Sequence, residues 1–189
     1  MFSLGISTLP ILQLNDVTTL KTLYCSLVRP RVEYASQVCN PYTKNNISRI
    51  ESIQRRATKF ILKSDDKYLV RLRKLRLLSL EDRRRMADVV FFYKVVHNHV
   101  RLTLDSRVRF SRDADRGYAL RSMDTPNLLT SLSRANLFKF SFMKRIVGEW
   151  NSIPLDIREA WSVEDFKMKV STFWTLWIFD FLLLCMFIY

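Results

Sequence analysis

Three glycines, five prolines, three cysteines and two histidines are all that the 189 residues hold of the types that build tight turns, disulfide frameworks and most metal sites. Gly5, Gly117 and Gly148 stand far apart, so no glycine-rich phosphate loop can form. So little turn chemistry argues against a many-stranded fold and favours helices. Cys25, Cys39 and Cys185 are odd in number, widely spaced and without a CxxC pair, which excludes a disulfide scaffold and a zinc finger. Cys25 and Cys39 sit in apolar runs, which predicts buried free thiols in a reducing, intracellular compartment, nuclear or cytoplasmic. His97 and His99, two apart at a helix end, point to different sides, so dipole pairing is expected of them and a metal site or other cofactor is not. No nucleophile elbow or Cys/His signature occurs. The opening MFSLGISTLPIL has no basic residue ahead of its apolar ones and makes a poor signal peptide.

Positive charge, by contrast, is plentiful. Lys and Arg number 31 against 18 Asp and Glu, a net charge of +13. Such a balance speaks to partners rather than fold: phosphate backbones, anionic lipid surfaces, or only a solvated basic exterior. Hydrophobic residues make up 48% of the chain, enough for one domain with a core and too many for general disorder.

Residues 1–14 are apolar but irregular and interrupted by Pro10, as the trailing edge of an upstream element would be. Asn15 or Asp16 can cap a helix that buries Leu20, Leu23, Tyr24, Leu27 and Val28. Pro30 should end or kink it, with a short helix resuming over Val32–Val38 before Asn40-Pro41. The next helix is expected from Thr43–Asn46 to about Leu62. Ile47, Ile50, Ile53, Ala57, Phe60 and Ile61 share one side, and Arg49, Ser52, Arg56, Lys59 and Lys63 follow on the other with Arg55 alongside. Tyr68–Leu78 reads as a short helix with Tyr68, Leu72 and Leu75 inward and Arg71, Arg73, Lys74 and Arg76 elsewhere.

Ser79-Leu80-Glu81-Asp82 resembles a capping box opening a helix to about Asn98, charged first through Arg83, Arg84 and Arg85, then apolar nearly all round. Residues 101–130 read as loop with one or two short strands. Leu137–Phe142 fits a strand or a helix entry, and Met143–Trp150 fits a helix. Ser162–Asp165 offers a second capping box ahead of Val163, Phe166 and Val170. The final stretch, Phe173–Tyr189, is almost wholly apolar. As a helix it is about 25 Å long, a little short of a hydrocarbon core of roughly 30 Å, with Asp180 near its centre. It can be a marginal membrane anchor or a tail that packs on the bundle.

Four segments carry a resemblance. They are LKTLYCSLVRPRVEYASQVCNPYTKNNISRIESIQRRATKFIL (Leu20–Leu62), RLRKLRLLSLEDRRRMADVVFFYKVVHN (Arg71–Asn98), RGYAL (Arg116–Leu120) and SRANLFKFSFMKRIVGEWNSIPLDIREAWSVEDFKMKV (Ser133–Val170). In order and spacing the chain resembles the region downstream of the polymerase core in reverse transcriptases of non-LTR retrotransposons, the jockey-like, LINE-type elements. The likeness rests on SLVRP (Ser26–Pro30), Glu33-Tyr34, Arg55-Arg56, LSLEDRR (Leu78–Arg84) and EWNSIP (Glu149–Pro154). It implies a helical thumb and C-terminal extension that grip a template–primer duplex. The aromatic-X-Asp-Asp motif by which that family's palm binds metal is absent. Asp65-Asp66 follows Lys63-Ser64 in an expected loop and lacks the flanking β-run.

The expectation is therefore a mainly α protein: a thumb-like helical bundle over 15–100 and a partly irregular extension over 101–172, between the 1–14 remnant and the 173–189 tail. It is a polymerase-derived fragment and not an enzyme by itself. It would bind RNA–DNA or DNA duplex without sequence choice, with a polymerase core supplied in trans as a possible partner. The residues expected at that contact are Arg49, Arg55, Arg56, Lys59, Lys63, Arg71, Arg73, Lys74, Arg83 and Arg84. The alternative is a tail-anchored or peripheral membrane protein that uses Phe173–Tyr189, its basic body facing the cytosol.

Overall fold

The computed structural model describes residues 16–102, 108–111, 127–130 and 139–186, with side chains of the last helix described through Trp174. The protein is mainly helical with one small antiparallel sheet, as the glycine-poor sequence predicts. The readings for 1–14 and for Arg116–Leu120 lie outside the described residues.

Helix α1 (Val17–Leu23) starts at Asp16, whose carboxylate accepts from the backbone N–H of Thr18 and Thr19 at 3.0 and 3.1 Å. The chain does not break at Pro30. It widens into a π-helical turn over Tyr24–Val28, in which the Arg29 N–H reaches the Tyr24 carbonyl, and continues as α2 (Arg29–Glu33) with Pro30 in its first turn. The wider turn moves the carbonyl that a proline ring would strike, and the first turn of α2 needs no proline N–H. Of the expected stripe only Tyr24 is buried, and Leu23, Leu27 and Val28 are exposed. The short helix expected to resume over Val32–Val38 does not form: its first two residues end α2 and residues 34–38 are a turn. Glu33 is the last helical residue, and Ala35 takes a left-handed conformation (φ 50°).

Helix α3 (Lys44–Leu62) is capped by Thr43 and ends at left-handed Lys63. Its buried line is Glu51, Gln54, Thr58 and Ile61, a mostly polar seam. At about 100° per residue this seam is rotated by roughly 70–80° from the isoleucine stripe. Ile47, Ile50 and Ile53 are thus only half-buried and Phe60 is exposed. Polar groups tolerate that position because the neighbouring elements on either side in sequence meet their hydrogen bonds. Gln54 accepts from the Tyr24 hydroxyl (2.7 Å) and donates to the Tyr68 hydroxyl (3.1 Å) and the Leu78 carbonyl (2.8 Å). Glu51 accepts from the Tyr68 hydroxyl and from the Leu80 N–H at 3.1 Å. There its carboxylate sits at the positive end of the following helix.

That geometry fixes α4 (Tyr68–Leu75) and α5 (Leu80–Val96) against α3. Tyr24, Ile61, Leu72, Leu75 and Leu77 form the apolar cluster beside the network. Half of the capping box is present: Ser79 Oγ accepts from the Asp82 N–H (3.0 Å), while the Asp82 carboxylate accepts from the Ser79 hydroxyl (2.5 Å) rather than from its backbone N–H.

A larger core lies around the second half of α5. Val89, Phe92 and Tyr93 pack with the strands β1 (Val108–Phe110) and β2 (Leu128–Thr130), and with α6 (Phe142–Ser152), α7 (Leu155–Arg158) and α8 (Val163–Met186). Val108 faces Thr130 and Phe110 faces Leu128 in the antiparallel register. The Phe92 and Trp150 rings meet edge to face at 4.9 Å, and Tyr93 stacks on Phe166 at 4.1 Å. The EWNSIP run has a structural job at each step. Glu149 pairs with Arg85 of α5, Trp150 and Ile153 are buried, and Pro154 opens α7. Asn151 clasps β2 by accepting from the Leu128 N–H (2.8 Å) and donating to its carbonyl (3.0 Å).

Asp165 N–H donates to Ser162 Oγ at 3.1 Å, the second expected cap, and α8 runs without a break into the apolar tail. Among the described residues no helix is long and apolar enough to cross a membrane. The thiols are less covered than their apolar neighbours suggest: Cys25 is half-buried and Cys39 is exposed.

Candidate nucleic-acid interface

The ten side chains expected at a phosphate-contacting face fall into two sets. Arg49, Arg55, Arg56, Lys59 and Lys63 are all exposed, and the side of α3 that carries them is nearly opposite the Glu51–Ile61 seam. Among the described residues no carboxylate pairs with Arg49, Arg55, Arg56 or Lys63. The Arg55 guanidinium lies over the Tyr68 ring, 5.1 Å from its centre, which steadies the stem and leaves the charge at the surface.

Two cations at this surface already hold carboxylates. Asp65 pairs with Lys59, and Asp66 pairs with Lys74 at 2.6 Å. The Lys59 and Lys74 ammonium groups, hydrogen-bonded to these carboxylates, hold both below the usual carboxyl range. The two aspartates thus face lysines rather than one another. Among the described residues no group of three or more His, Cys, Asp or Glu is placed to hold a metal ion.

The remaining expected contacts turn inward or are held by partners. Arg71 is buried, beside Leu72 and Leu75 on the inner side of α4. Its guanidinium donates to Thr58 Oγ1 (3.3 Å), the Arg55 carbonyl (3.4 Å) and the Asp66 carbonyl, so it locks the α3–α4 connection rather than meeting a ligand. Arg84 is only 3% exposed because it follows Leu80 and precedes Asp88 on the inner line of α5. Burial pushes its guanidinium pKa down, against the pull of Glu51. Arg83 grips both oxygens of Glu33 and so ties α2 to α5. Arg73 is half-buried. The expected face therefore contracts to α3, with Lys74 at its edge.

Sequence periodicity missed a group beside Arg49. Tyr42 is 57% exposed and stacks flat on Phe140, with centroids 4.0 Å apart and planes 10° apart. The Lys139 ammonium lies 5.6 Å from the Phe140 ring centre. A cleft of about 460 Å³ beside Tyr42 is lined by Asn40, Asn46, Arg49 and Ile50 among others. The one signal in the sequence was the aromatic Tyr42 directly after the Asn40-Pro41 break; its partner lies almost a hundred residues away. No protein-family model, curated protein or solved structure matches the chain.

Proposed function

We propose that the chain is a piece of the thumb and C-terminal extension of a non-LTR reverse transcriptase, and that it binds RNA–DNA or DNA duplex through the outer face of α3. The observation that carries the binding is the set of three exposed guanidiniums, Arg49, Arg55 and Arg56, on one 19-residue helix, with no described carboxylate against them. A helix of this length spans roughly 28 Å, enough to follow several phosphates along one groove edge. Backbone contacts of this kind carry affinity without sequence choice. The aromatic-X-Asp-Asp pair is missing from these 189 residues and Asp65 and Asp66 are paired with lysines, so the polymerase chemistry belongs to a palm outside them.

The test is anisotropy titration of a labelled 20-base-pair RNA–DNA duplex at several salt concentrations. About four neutralised phosphates give a log–log slope of roughly −3 to −4. Changing Arg49, Arg56 and Lys59 together to Glu should abolish most of the affinity and flatten that slope. A slope near zero for the wild-type chain, or unchanged binding by the triple variant, refutes the reading. The rival placement on a membrane through 173–189 is separated by carbonate extraction, which would leave an inserted tail in the pellet and release a nucleic-acid-bound chain.

A further inference from the structure

At the N-terminal end of the α3 face the surface changes character from cationic to aromatic and amide. Tyr42 lines two adjoining clefts. One, about 460 Å³, is bounded by Asn40, Asn46 and Arg49; the other, about 540 Å³, by Gln37, Phe140 and Phe142. Phe140 backs one face of the Tyr42 ring at 4.0 Å, so the ring is braced while more than half of the residue stays open to solvent. The side-chain amides of Asn40 and Asn46 make no hydrogen bond within the described residues. Arg49 is at once a wall of the smaller cleft and the first cation of the α3 face.

A duplex has no use for this combination, because its bases are stacked inside the helix and present only their edges. An unpaired base has a free π-face and a free Watson–Crick edge, and a braced aromatic ring, two solvent-facing amides and a guanidinium complement these in turn. From this geometry we infer that Tyr42 with Asn40, Asn46 and Arg49 forms a site for one unpaired nucleotide at a single-stranded end of the bound duplex. The base stacks on Tyr42, the amides meet its edge, and Arg49 takes the adjoining phosphate and hands the strand on to Arg56 and Lys59. The inference rests on the duplex reading above and names the form of duplex preferred.

The experiment compares a blunt 20-base-pair RNA–DNA duplex, the same duplex with a five-nucleotide single-stranded extension, and the extension strand alone. The first extension base is 2-aminopurine, whose emission is quenched by stacking. The wild-type chain should bind the extended duplex about tenfold more tightly than the blunt one, within the range known for one base on one ring, and quench the probe. Tyr42→Ala should lose both the preference and the quench while its affinity and salt slope on blunt duplex stay unchanged. Tyr42→Trp should keep both, which separates stacking from a merely structural role. Equal binding of blunt and extended duplex, or a quench that survives Tyr42→Ala, overturns the site and leaves the α3 reading standing. Binding of the extension strand alone, without blunt-duplex binding, overturns the α3 reading and keeps the site. No binding to any of the three overturns both.

Discussion

Lys59 and Lys74 each hold a carboxylate that an arriving phosphate would have to displace. Both ion pairs are largely solvent-exposed, so their worth to the fold is small and their effect falls mainly on binding. Removing the two charges together, Asp65→Asn with Asp66→Asn, frees both lysines for counterion exchange. The double variant should bind duplex more tightly, with a log–log salt slope steeper by about 1–2. An unchanged slope would mean that neither lysine reaches a phosphate and that the interface ends at Arg56. Arg71 is the contrasting case: equally basic in sequence, it sits three residues after Tyr68 on the inner side of α4 and meets only groups of its own chain. Side-chain charge alone could not separate the two lysines from this arginine, because the difference lies in the azimuth each residue takes on its helix.

At the scale of elements, Gln54 shows why azimuth was hard to read. Periodicity located α3 to within a residue or so, and the two Ser-led capping boxes located the starts of α5 and α8. The buried side of α3 followed a different rule. A helix turns inward the line whose groups its neighbours can satisfy, and Gln54 finds a hydroxyl from the π turn, a hydroxyl from α4 and a carbonyl ahead of α5. Those partners lie 30, 14 and 24 residues away, beyond the reach of any local pattern. The same limit applies to Tyr42 and Phe140, whose stack joins segments distant in sequence.

Gln54→Leu tests whether the seam is structural. It roughly keeps the volume and orphans the buried Tyr24 hydroxyl and the part-buried Leu78 carbonyl, at about 2–4 kcal/mol in total. Urea unfolding should therefore show a lower midpoint at unchanged slope. A loss under about 1 kcal/mol would mean that water replaces the amide, and the seam would then be permissive rather than specifying.

At the scale of the whole molecule, α5 is the shared spine. Its first residue is held by Glu51 of α3 and its later turns enter the larger core, so packing runs across the boundary expected near residue 100. Among the described residues two charged contacts fasten the halves: Arg85 to Glu149, and Asp88 to Arg145. The second is the deeper. Arg145 binds Asp88 at 3.0 Å and also donates to the Phe140 carbonyl (2.7 Å) and the Gln37 carbonyl (3.3 Å), joining the segment after α2 to α5 and α6.

Burial pushes the Asp88 carboxyl up to about 6, more than the Arg145 guanidinium draws it down, and Glu149 adds to the rise. The folded chain thus binds more protons than the unfolded one between about pH 4 and pH 6, and stability falls as pH rises through that window. This contribution is complete below the unfolded carboxyl pKa and gone above about pH 6, a change on the order of 2–3 kcal/mol. Asp88→Asn removes the titration and keeps an amide oxygen for Arg145. Urea unfolding of both proteins at pH 4, 5, 6 and 7 should show the variant gaining on the wild type with each step up in pH and levelling off near pH 7. A constant difference across the series would mean that Arg145 keeps the carboxylate ionised throughout. The two halves would then be joined by a true ion pair, and the junction would hold equally at acidic and neutral pH.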